Sequence, residues 1–283
     1  MKIAVLITAY NRKQKTLECL NSLEKQQLPA GTILEIHLTD DASSDGTATA
    51  VKENFPYIKI YSGTGNLFWA GGMRYTWSKA LATKANFYLL LNDDTILSNN
   101  AILVLLTHIQ HFTTPTICIG STVDVGTGKT SYGGSRLTSK RRWKSEMLEA
   151  SPEFKQCDFG NANIMLVPAE IVEKIGILSD VYTHSLADYD YTLKAKKAGF
   201  NVVVAPGFLG SCVDDHGNNW KSKNTSLKER IQYLRSPKGL AYDEYLKFIK
   251  DHFPLSYPTA FLKLWLKTFF PFIWDVYKKR SVS

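Results

Sequence analysis

Residues 86–94 read Asn-Phe-Tyr-Leu-Leu-Leu-Asn-Asp-Asp, an apolar run that ends in an amide and two carboxylates. A short apolar run bounded by polar residues is typical of a buried β-strand. Two adjacent carboxylates at a strand end offer the hard oxygen ligands that Mg²⁺ or Mn²⁺ prefers. Asp93 and Asp94 are therefore candidate metal ligands, although such a pair can also cap a helix or lie in solvent.

The same pattern occurs twice nearer the N-terminus. The run Ile3–Ile7 precedes Thr-Ala-Tyr-Asn-Arg at residues 8–12, and Leu34–Leu38 precedes Thr-Asp-Asp-Ala-Ser-Ser-Asp-Gly-Thr at residues 39–47. Segments with a helical repeat separate the runs, and strands that alternate with helices indicate βαβ units and a parallel sheet. Ligands of such sheets bind beyond the carboxyl ends of the strands. We therefore expect several carboxylates at one edge of one sheet.

The other elements are predicted from periodicity, length and flanking residues. Further strands are expected at Ile58–Tyr61, Phe87–Leu91, Thr116–Gly120, Asn163–Val167 and Asn201–Ala205. Helices are expected at Thr16–Gln26, Thr47–Asn54, Gly71–Ala85, Glu170–Ile175, Tyr189–Ala198, Ser226–Leu234 and Leu240–His252, and from an N-cap at Ser98 to His111. Residues 124–136 are rich in Gly, Ser and Thr and are expected to form a loop or hairpin.

Two polar stretches suggest contacts with a ligand. Asp40 directly follows its strand, and its carboxylate can accept the ring N–H of a pyrimidine base. Asp45, Gly46 and Thr47 are explained by a turn and a helix cap alone, whereas Asp40 is not. The stretch Gly65–Arg74 reads Gly-Asn-Leu-Phe-Trp-Ala-Gly-Gly-Met-Arg. Its glycines allow close backbone approach and the following helix N-terminus favours anions, although a loop with its aromatics in the core explains the pattern too.

Two further side chains have more than one interpretation. Asp188 precedes or begins a helix, so its carboxylate can cap that helix or take a proton from an acceptor hydroxyl. His216 follows Asp214 and Asp215, and it can be a metal ligand, a phosphate contact or a loop histidine.

The charge of the chain is unevenly distributed. Residues 221–283 carry 13 Lys and Arg against five Asp and Glu, so the whole net charge of +8 lies there. Such a basic tail suggests contact with a membrane or another polyanion. Residues 260–277 are aromatic and aliphatic but are interrupted by Lys263, Lys267, Pro271 and Asp275, which favours a segment in the bilayer interface over a spanning helix. The alternative is a helix that packs on the protein body.

Composition excludes several classes of protein. With 44% hydrophobic and 21% charged residues, a disordered chain, a collagen-like repeat and a coiled coil are excluded. The four cysteines show no C-x-x-C spacing and the apolar N-terminal run is too short for a secretory segment, so we expect a reduced, cytoplasmic protein. The sequence lacks the G-x-G-x-x-G, Walker and G-x-S-x-G motifs. It also lacks a recognisable nucleic-acid module, so no nucleic-acid partner is expected.

Together these stretches resemble a known family. Residues 8–12, 40–47 and 92–94 are followed by Ala-Asp-Tyr-Asp-Tyr-x-Leu-x-Ala-x-Lys-Ala-Gly at 187–199, an order that resembles the family-2 glycosyltransferases with the GT-A fold. The Gly65–Arg74 stretch is similar to the bacterial, rhamnosyltransferase-like branch of cell-surface polysaccharide assembly. The resemblance covers about residues 3–216. It implies an α/β fold with a mixed, mostly parallel sheet flanked by helices over residues 1–220, and a basic, aromatic helical segment over 221–283.

The resemblance also implies an activity and roles for particular residues. An inverting enzyme would move a sugar from a UDP-, dTDP- or GDP-linked donor to a hydroxyl of a saccharide or lipid-linked acceptor, at the inner membrane face if the tail binds lipid. The implied donor-binding residues are Thr8, Tyr10, Arg12, Asp40, Asn66, Trp69, Gly72, Arg74 and Asp93. Asp94 and His216 would hold Mn²⁺ or Mg²⁺, Asp188 would be the general base, and Gly160 and Asn161 would line the acceptor side.

One position departs from the family pattern, because many members have Glu where this chain has Ala187. Asp188, the proposed base, is present in this chain, but its contacts with the acceptor need not follow those of the family. Two alternative functions stay open at this point: a sugar nucleotidyltransferase, and a non-catalytic sugar-binding protein on a degenerate transferase fold. A nucleotidyltransferase usually has a glycine-rich basic loop after its first strand, which residues 8–12 do not form. Retention of Asp40, Asp93, Asp94 and Asp188 argues against a degenerate site.

Overall fold

A computed structural model describes residues 1–139, 141–213 and 225–272. These residues form two compact units. The first contains Met1–Arg136, Glu146–Thr183 and residues 187–213, and the second contains residues 137–139, 141–145, 184–186 and 225–272. The predicted boundary between residues 220 and 221 lies outside the described residues.

The predicted strands and helices occur in the expected order along the chain, with further short strands between them. The strands are β1 (Lys2–Ala9), β2 (Ile33–Asp40), β3 (Lys59–Ser62), β4 (Phe87–Leu91), β5 (Ile96–Leu97), β6 (Thr116–Val123), β7 (Thr130–Tyr132), β8 (Gly134–Leu137), β9 (Ser145–Met147), β10 (Lys155–Gln156), β11 (Phe159–Gly160), β12 (Ile164–Pro168) and β13 (Asn201–Ser211). The helices are α1 (Lys13–Glu24), α2 (Thr47–Asn54), α3 (Phe68–Ala80), α4 (Ala101–Ile109), α5 (Ala169–Ile175), α6 (Ala187–Lys197), α7 (Leu227–Arg235), α8 (Tyr242–His252) and α9 (Tyr257–Phe269). Short 3-10 helices lie at Leu81–Thr83 and Pro254–Ser256.

The first unit is built on a mixed sheet with the strand order β10-β13-β6-β12-β4-β1-β2-β3. The strands β1, β2, β3 and β4 pair in parallel, β12 is antiparallel to β4 and β6, and β13 is parallel to β6. Most long strands therefore run in one direction. Ile3, Val5, Leu89 and Leu166 are fully buried and belong to one apolar core with residues of α1, α2 and α4. The expected α/β, mostly parallel architecture of the GT-A type is confirmed.

The parallel register brings the polar clusters to one edge, as predicted. Ala9 lies opposite Asp40 in the pairing of β1 with β2, and Leu6 lies opposite Leu90 in the pairing of β1 with β4. The residues that follow β1, β2 and β4 therefore leave the sheet side by side, because parallel strands end at the same edge.

Several predicted boundaries differ from the structure. The helix predicted from Ser98 begins after Asn100, and the Ser98 hydroxyl instead donates to Leu209 and Asn100. Helix α3 begins three residues earlier than predicted and gives way to a 3-10 helix at Leu81. The strand predicted to stop before Pro206 continues to Ser211, because register shifts between Val204 and Gly210 accommodate the proline.

The second unit is helical. Ser226 and Glu229 form a capping box at the start of α7, which satisfies two backbone N–H groups that a helix terminus leaves unpaired. The Trp143 ring packs on Phe248 and Phe253, and its backbone N–H donates to Ser256 Oγ at 2.9 Å. Over the described residues, no helix is both long and apolar enough to cross a membrane. The predicted segment 260–277 is helical as far as Phe269, and its residues from 273 onward lie outside the described residues.

Candidate active site

The carboxylates that follow β4 are paired with basic side chains of the loop and helix that follow β1. Arg12 Nη1 donates to Asp94 Oδ2 at 2.7 Å and lies 3.4 Å from Asp93 Oδ1. Lys15 Nζ lies 3.7 Å from Asp94 Oδ2. On the other side, the Cys212 thiol donates to Asp94 Oδ1 at 3.6 Å. The sheet edge thus joins residues that are far apart in sequence.

Asp93 combines deep burial with an unused oxygen. The residue is 6% exposed, and within the described part of the chain its Oδ2 has no hydrogen-bond partner. The pKa of Asp93 is raised to about 7, chiefly because burial disfavours the charged carboxylate; Arg12 lowers it and the Asp94 charge raises it. A buried oxygen without a partner is unfavourable, so this atom is suited to a ligand.

The residues present fit a hard divalent cation in part. Two adjacent carboxylates, one with an orphaned oxygen, supply the oxygen ligands that Mg²⁺ or Mn²⁺ takes, and phosphate oxygens usually supply others. Among the described residues, no group of three or more His, Cys, Asp and Glu side chains is arranged to hold a metal. His216, predicted as a further ligand, lies outside the described residues.

The neighbouring carboxylates Asp40 and Asp41 differ in their hydrogen-bond partners. Asp40 is buried, its Oδ2 accepts the Ser43 N–H at 3.2 Å, and its Oδ1 has no partner among the described residues. Asp41 accepts three backbone N–H groups, from Gly65 at 2.7 Å, Leu67 at 2.9 Å and Phe68 at 3.2 Å. Asp41 therefore fixes the glycine-rich loop at the start of α3, a role that the sequence analysis did not assign. The available signal was a run of backbone N–H groups at a helix start, which need an acceptor.

The start of α3 is packed against the ends of β1 and β4. A β-carbon added at Gly72 would overlap with Thr8 Oγ1, so glycine allows the helix to touch the strand. Trp69 Nε1 donates to Asn92 Oδ1 at 2.8 Å, next to the carboxylate pair. The backbone N–H groups of Ala70 and Gly71 donate to the Thr183 carbonyl.

The other predicted donor-binding residues differ in their surroundings. Arg74 Nη1 donates to the carbonyls of Ser179 and Tyr182, so this guanidinium supports a loop of the protein itself. Tyr10 is 45% exposed just after β1, and Asn66 is exposed in the loop before α3.

Asp188 lies in the first turn of α6 and is held by hydrogen bonds. Its Oδ2 accepts the Ala162 N–H at 3.2 Å, and its Oδ1 accepts the Tyr189 N–H at 2.9 Å. Desolvation raises the pKa of Asp188 to about 6, although these hydrogen bonds and one from Asn161 lower it. The helix begins at Ala187, so Asp188 lies inside it. A carboxylate with this pKa is ionised near neutral pH and is more basic than an ordinary Asp.

Of the two predicted acceptor-side residues, Asn161 hydrogen-bonds to Asp188. Asn161 Nδ2 donates to the Tyr189 hydroxyl at 3.2 Å, and the Tyr189 ring packs on Phe159 at 4.7 Å between centroids. Gly160 lies in β11, where a β-carbon would overlap with Ile119 and approach the Gly133 carbonyl to 2.9 Å. Close packing therefore explains the glycine, while Asn161 directly orders the neighbourhood of the carboxylate.

Comparison with known proteins identifies the family of this chain. The family model described as "Glycosyl transferase family 2" matches residues 4–174, more than half of the chain. The chain belongs to glycosyl transferase family 2. The matched region of this family-2 glycosyltransferase contains the ends of β1, β2 and β4 and therefore the Asp40, Asp93 and Asp94 carboxylates. Asp188 lies beyond it.

Solved structures share the fold of this family-2 chain at low sequence identity. The mannosyltransferase PcManGT from Pyrobaculum calidifontis, in complex with GDP-Man and Mn²⁺, is 19% identical with a TM-score of 0.55, over 93% of this chain and 69% of that one. TarS 1-349 from S. aureus is 16% identical with a TM-score of 0.54, over 75% of this chain and 60% of that one. The same TarS fragment in complex with UDP gives a TM-score of 0.51 at 16% identity, over 73% and 61% of the two chains. No curated protein matches the sequence.

Proposed function

We propose that this protein transfers a sugar from a nucleoside-diphosphate sugar to an acceptor hydroxyl with inversion at the anomeric carbon. One observation carries the proposal: Asp40 and Asp93, at the ends of two strands that flank β1, each keep a buried oxygen without a partner among the described residues. Strand ends two positions apart in a sheet are separated by about 10 Å. That spacing suits a ligand with a hydrogen-bond donor at one end and a cation-binding group at the other.

The donor is proposed to be a UDP-, dTDP- or GDP-linked sugar. Uracil, thymine and guanine each carry a ring N–H beside a carbonyl group, and Asp40 Oδ1 is a carboxylate oxygen that can accept it. Thr8 lies near the end of β1 and Tyr10 directly follows it, while Trp69 and Gly72 lie at the start of α3. We propose that these residues line the same donor site. Similarity of fold to proteins solved with GDP-Man and with UDP supports this choice.

Asp93 and Asp94 are proposed to hold Mn²⁺ or Mg²⁺ together with the donor diphosphate. The bound cation would neutralise the negative charge that develops on the departing diphosphate. The fit of the two carboxylates and the Mn²⁺ in the mannosyltransferase structure support the proposal. We keep His216 as a proposed additional ligand on the basis of its motif alone.

Asp188 is proposed to be the general base. Its carboxylate would take the proton of the acceptor hydroxyl while that oxygen attacks the anomeric carbon and the nucleoside diphosphate leaves. The raised pKa supports the role, because a base with a pKa of about 6 is ionised at neutral pH yet accepts a proton better than an ordinary Asp. Asn161 and the Ala162 N–H orient the carboxylate, and Gly160 leaves the adjacent strand close-packed.

We further propose a saccharide or lipid-linked saccharide acceptor, as in bacterial cell-surface polysaccharide synthesis, reached at the cytoplasmic face of the membrane. The exposed apolar side chains of α9 and its neighbourhood support membrane contact: Leu255, Tyr257, Phe261, Leu262, Phe269, Phe270 and Phe272. Ala260, Leu264 and Thr268 form the buried stripe of the same helix. Exposed aromatic residues beside Lys263, in a segment with a net charge of +8, suit an anionic lipid surface.

The proposal is tested by thermal-shift titration of the full chain with UDP, dTDP and GDP, each with and without Mn²⁺. A ligand that binds only the folded state raises the melting temperature. We expect one nucleotide to give a Mn²⁺-dependent shift, and its sugar conjugates then define the donor in a transfer assay. A chain that no nucleotide stabilises, with or without Mn²⁺, would contradict the proposed donor site.

A further inference from the structure

Arg12 occupies one carboxylate oxygen of the proposed cation site. Its Nη1 lies 2.7 Å from Asp94 Oδ2 and 3.4 Å from Asp93 Oδ1, so one guanidinium bridges the carboxylate pair. Lys15, one turn into α1, lies 3.7 Å from the same Asp94 oxygen and makes no hydrogen bond to it that satisfies ordinary geometry. The two basic residues therefore differ in kind: Arg12 is hydrogen-bonded to the pair, and Lys15 is a nearby charge.

A divalent cation and this guanidinium are rival partners of one atom. Hard cations such as Mg²⁺ bind carboxylate oxygens at about 2.1 Å. A guanidinium nitrogen that remained in hydrogen-bond contact with the same oxygen would lie within a few ångströms of the cation and would be strongly repelled by it. Binding of the cation at Asp94 Oδ2 therefore requires that Arg12 give up this contact.

The Arg12 side chain lies at the surface of the sheet edge. Its side chain is 41% exposed, and the hydrogen bonds that anchor the first turn of α1 to residue 12 use its backbone carbonyl, which accepts from the Thr16 N–H and hydroxyl. A displaced guanidinium would remain on a flexible stem at the same sheet edge. Its planar fork of N–H donors matches phosphate oxygens.

We propose that Arg12 and the divalent cation compete for Asp94 Oδ2, and that cation binding transfers Arg12 from the carboxylate pair to the diphosphate of the donor. This inference rests on the proposed function and adds that binding of the cation and binding of the nucleotide are coupled through Arg12. The cation alone must displace Arg12 without compensation, whereas the cation and a nucleoside diphosphate together give the guanidinium a new partner. Cation and nucleotide should consequently bind cooperatively, each strengthening the other.

The test measures Mn²⁺ binding to the full chain without nucleotide, by electron paramagnetic resonance of free Mn²⁺, for wild type, Arg12→Met and Lys15→Met. Both substitutions remove one positive charge near Asp94, but only the first removes the competing hydrogen bond. We expect Arg12→Met to bind Mn²⁺ about two- to fivefold more tightly, the order expected for a partly exposed ion pair, and Lys15→Met to change the affinity less than twofold.

A second measurement on the same proteins is the affinity for UDP and for GDP at saturating Mn²⁺, by calorimetry. Arg12→Met should bind the preferred nucleotide about tenfold more weakly, because the diphosphate loses a charged hydrogen-bond partner, and Lys15→Met should be unchanged. A purely structural role of Arg12 would not explain a substitution that raises the affinity for Mn²⁺ and lowers the affinity for the nucleotide. Thermal melting checks that all three proteins fold.

The outcomes separate this inference from the proposed function. Equal effects of the two substitutions on Mn²⁺ affinity would show that Arg12 acts only through its charge. That result would contradict the proposed competition for Asp94 Oδ2. An unchanged Mn²⁺ affinity in Arg12→Met, with normal Mn²⁺-dependent nucleotide binding in wild type, would do the same and leave the proposed function intact. If wild type binds neither nucleotide in Mn²⁺, the proposed function fails and the inference fails with it.

Discussion

Gly72 of α3 lies against Thr8 at the end of β1 so closely that a β-carbon at residue 72 would overlap with the threonine hydroxyl and come within 3.0 Å of its β-carbon. This contact sets the distance between the helix start and the strand end at the edge where Asp40 and Asp93 lie. A small change at residue 72 therefore tests whether the packing of α3 shapes the proposed donor site.

Gly72→Ala should destabilise the protein by about 1–3 kcal/mol, the usual cost of overpacking, and should weaken nucleotide binding because α3 must move away from Thr8. Urea unfolding and UDP or GDP titration measure the two effects. The matched control is Gly71→Ala, where the nearest atom, Leu67 Cβ, is at an ordinary 3.5 Å. That substitution should be neutral or stabilising by up to about 1 kcal/mol, since alanine favours helix. Equal losses of stability and nucleotide affinity in the two variants would contradict a specific role for the contact between Gly72 and Thr8.

Asp40 and Asp41 should give opposite results when each is replaced by Asn. Asp41→Asn places an amide donor opposite backbone donors, so unfolding free energy should fall by about 2 kcal/mol. Asp40→Asn keeps an acceptor for Ser43 but turns the other position into a donor, so nucleotide affinity should fall about tenfold with little change in stability. Urea unfolding and calorimetry on both variants decide the matter. The assignment is wrong if Asp40→Asn binds nucleotide as wild type does.

Asp188→Asn should remove sugar transfer, because the amide cannot take a proton from the acceptor. Donor affinity should stay within about twofold of wild type, because Asp188 is not part of the proposed nucleotide site. General-base catalysis typically contributes about 10²–10⁴-fold, which is the expected loss in kcat. The measurements are turnover of the donor that the nucleotide titration identifies, and calorimetric binding of that nucleotide. Asp180→Asn, at an exposed position of the same unit, is the control and should be fully active. Wild-type turnover in Asp188→Asn would refute the base assignment.

The pH profile should report the same carboxylate. A base works only when it is deprotonated, and burial raises the pKa of Asp188 to about 6, so kcat at saturating donor and Mn²⁺ should fall as pH drops through about 6 and be level above it. An Asp with its ordinary pKa would hold the plateau down to about pH 4. The profile is measured from pH 4.5 to 8, with circular dichroism to exclude unfolding. An acid limb centred near pH 4 would show that burial does not tune this group.

Phe261 and Leu262 are exposed on α9 by 43% and 56%, and their replacement should weaken binding to anionic liposomes. Phe261→Ser with Leu262→Ser removes apolar surface that would enter the interface, so the bound fraction in flotation should fall at least about fivefold. The control replaces Val125 and Phe154, exposed by 78% and 43% in the first unit, with serine and should bind as wild type does. Undiminished binding of the α9 variant would argue against a membrane role for this helix.

The sequence predicted the sheet well because the signals for it are local. Uninterrupted apolar runs gave β1, β2 and β4, and their parallel pairing follows from the helices between them. Local signals failed at Pro206, where a proline that cannot donate a hydrogen bond predicts the end of a strand, but bulges carry β13 on to Ser211. They failed also at Ser98, whose hydroxyl found partners in Leu209 and Asn100 instead of capping a helix.

The sequence by itself determined the long strands of the sheet, the helices between them and the edge at which Asp40, Asp93 and Asp94 gather. The tertiary structure decided which partner each carboxylate has: Asp41 meets a loop 24 to 27 residues later, Arg12 meets Asp94 across 82 residues, and Ala162 donates to Asp188 across 26. Periodicity reports only on neighbours along the chain, whereas hydrogen bonds and burial depend on which segments pack together. For that reason Asp40 and Asp41, adjacent and chemically identical, have different hydrogen-bond partners.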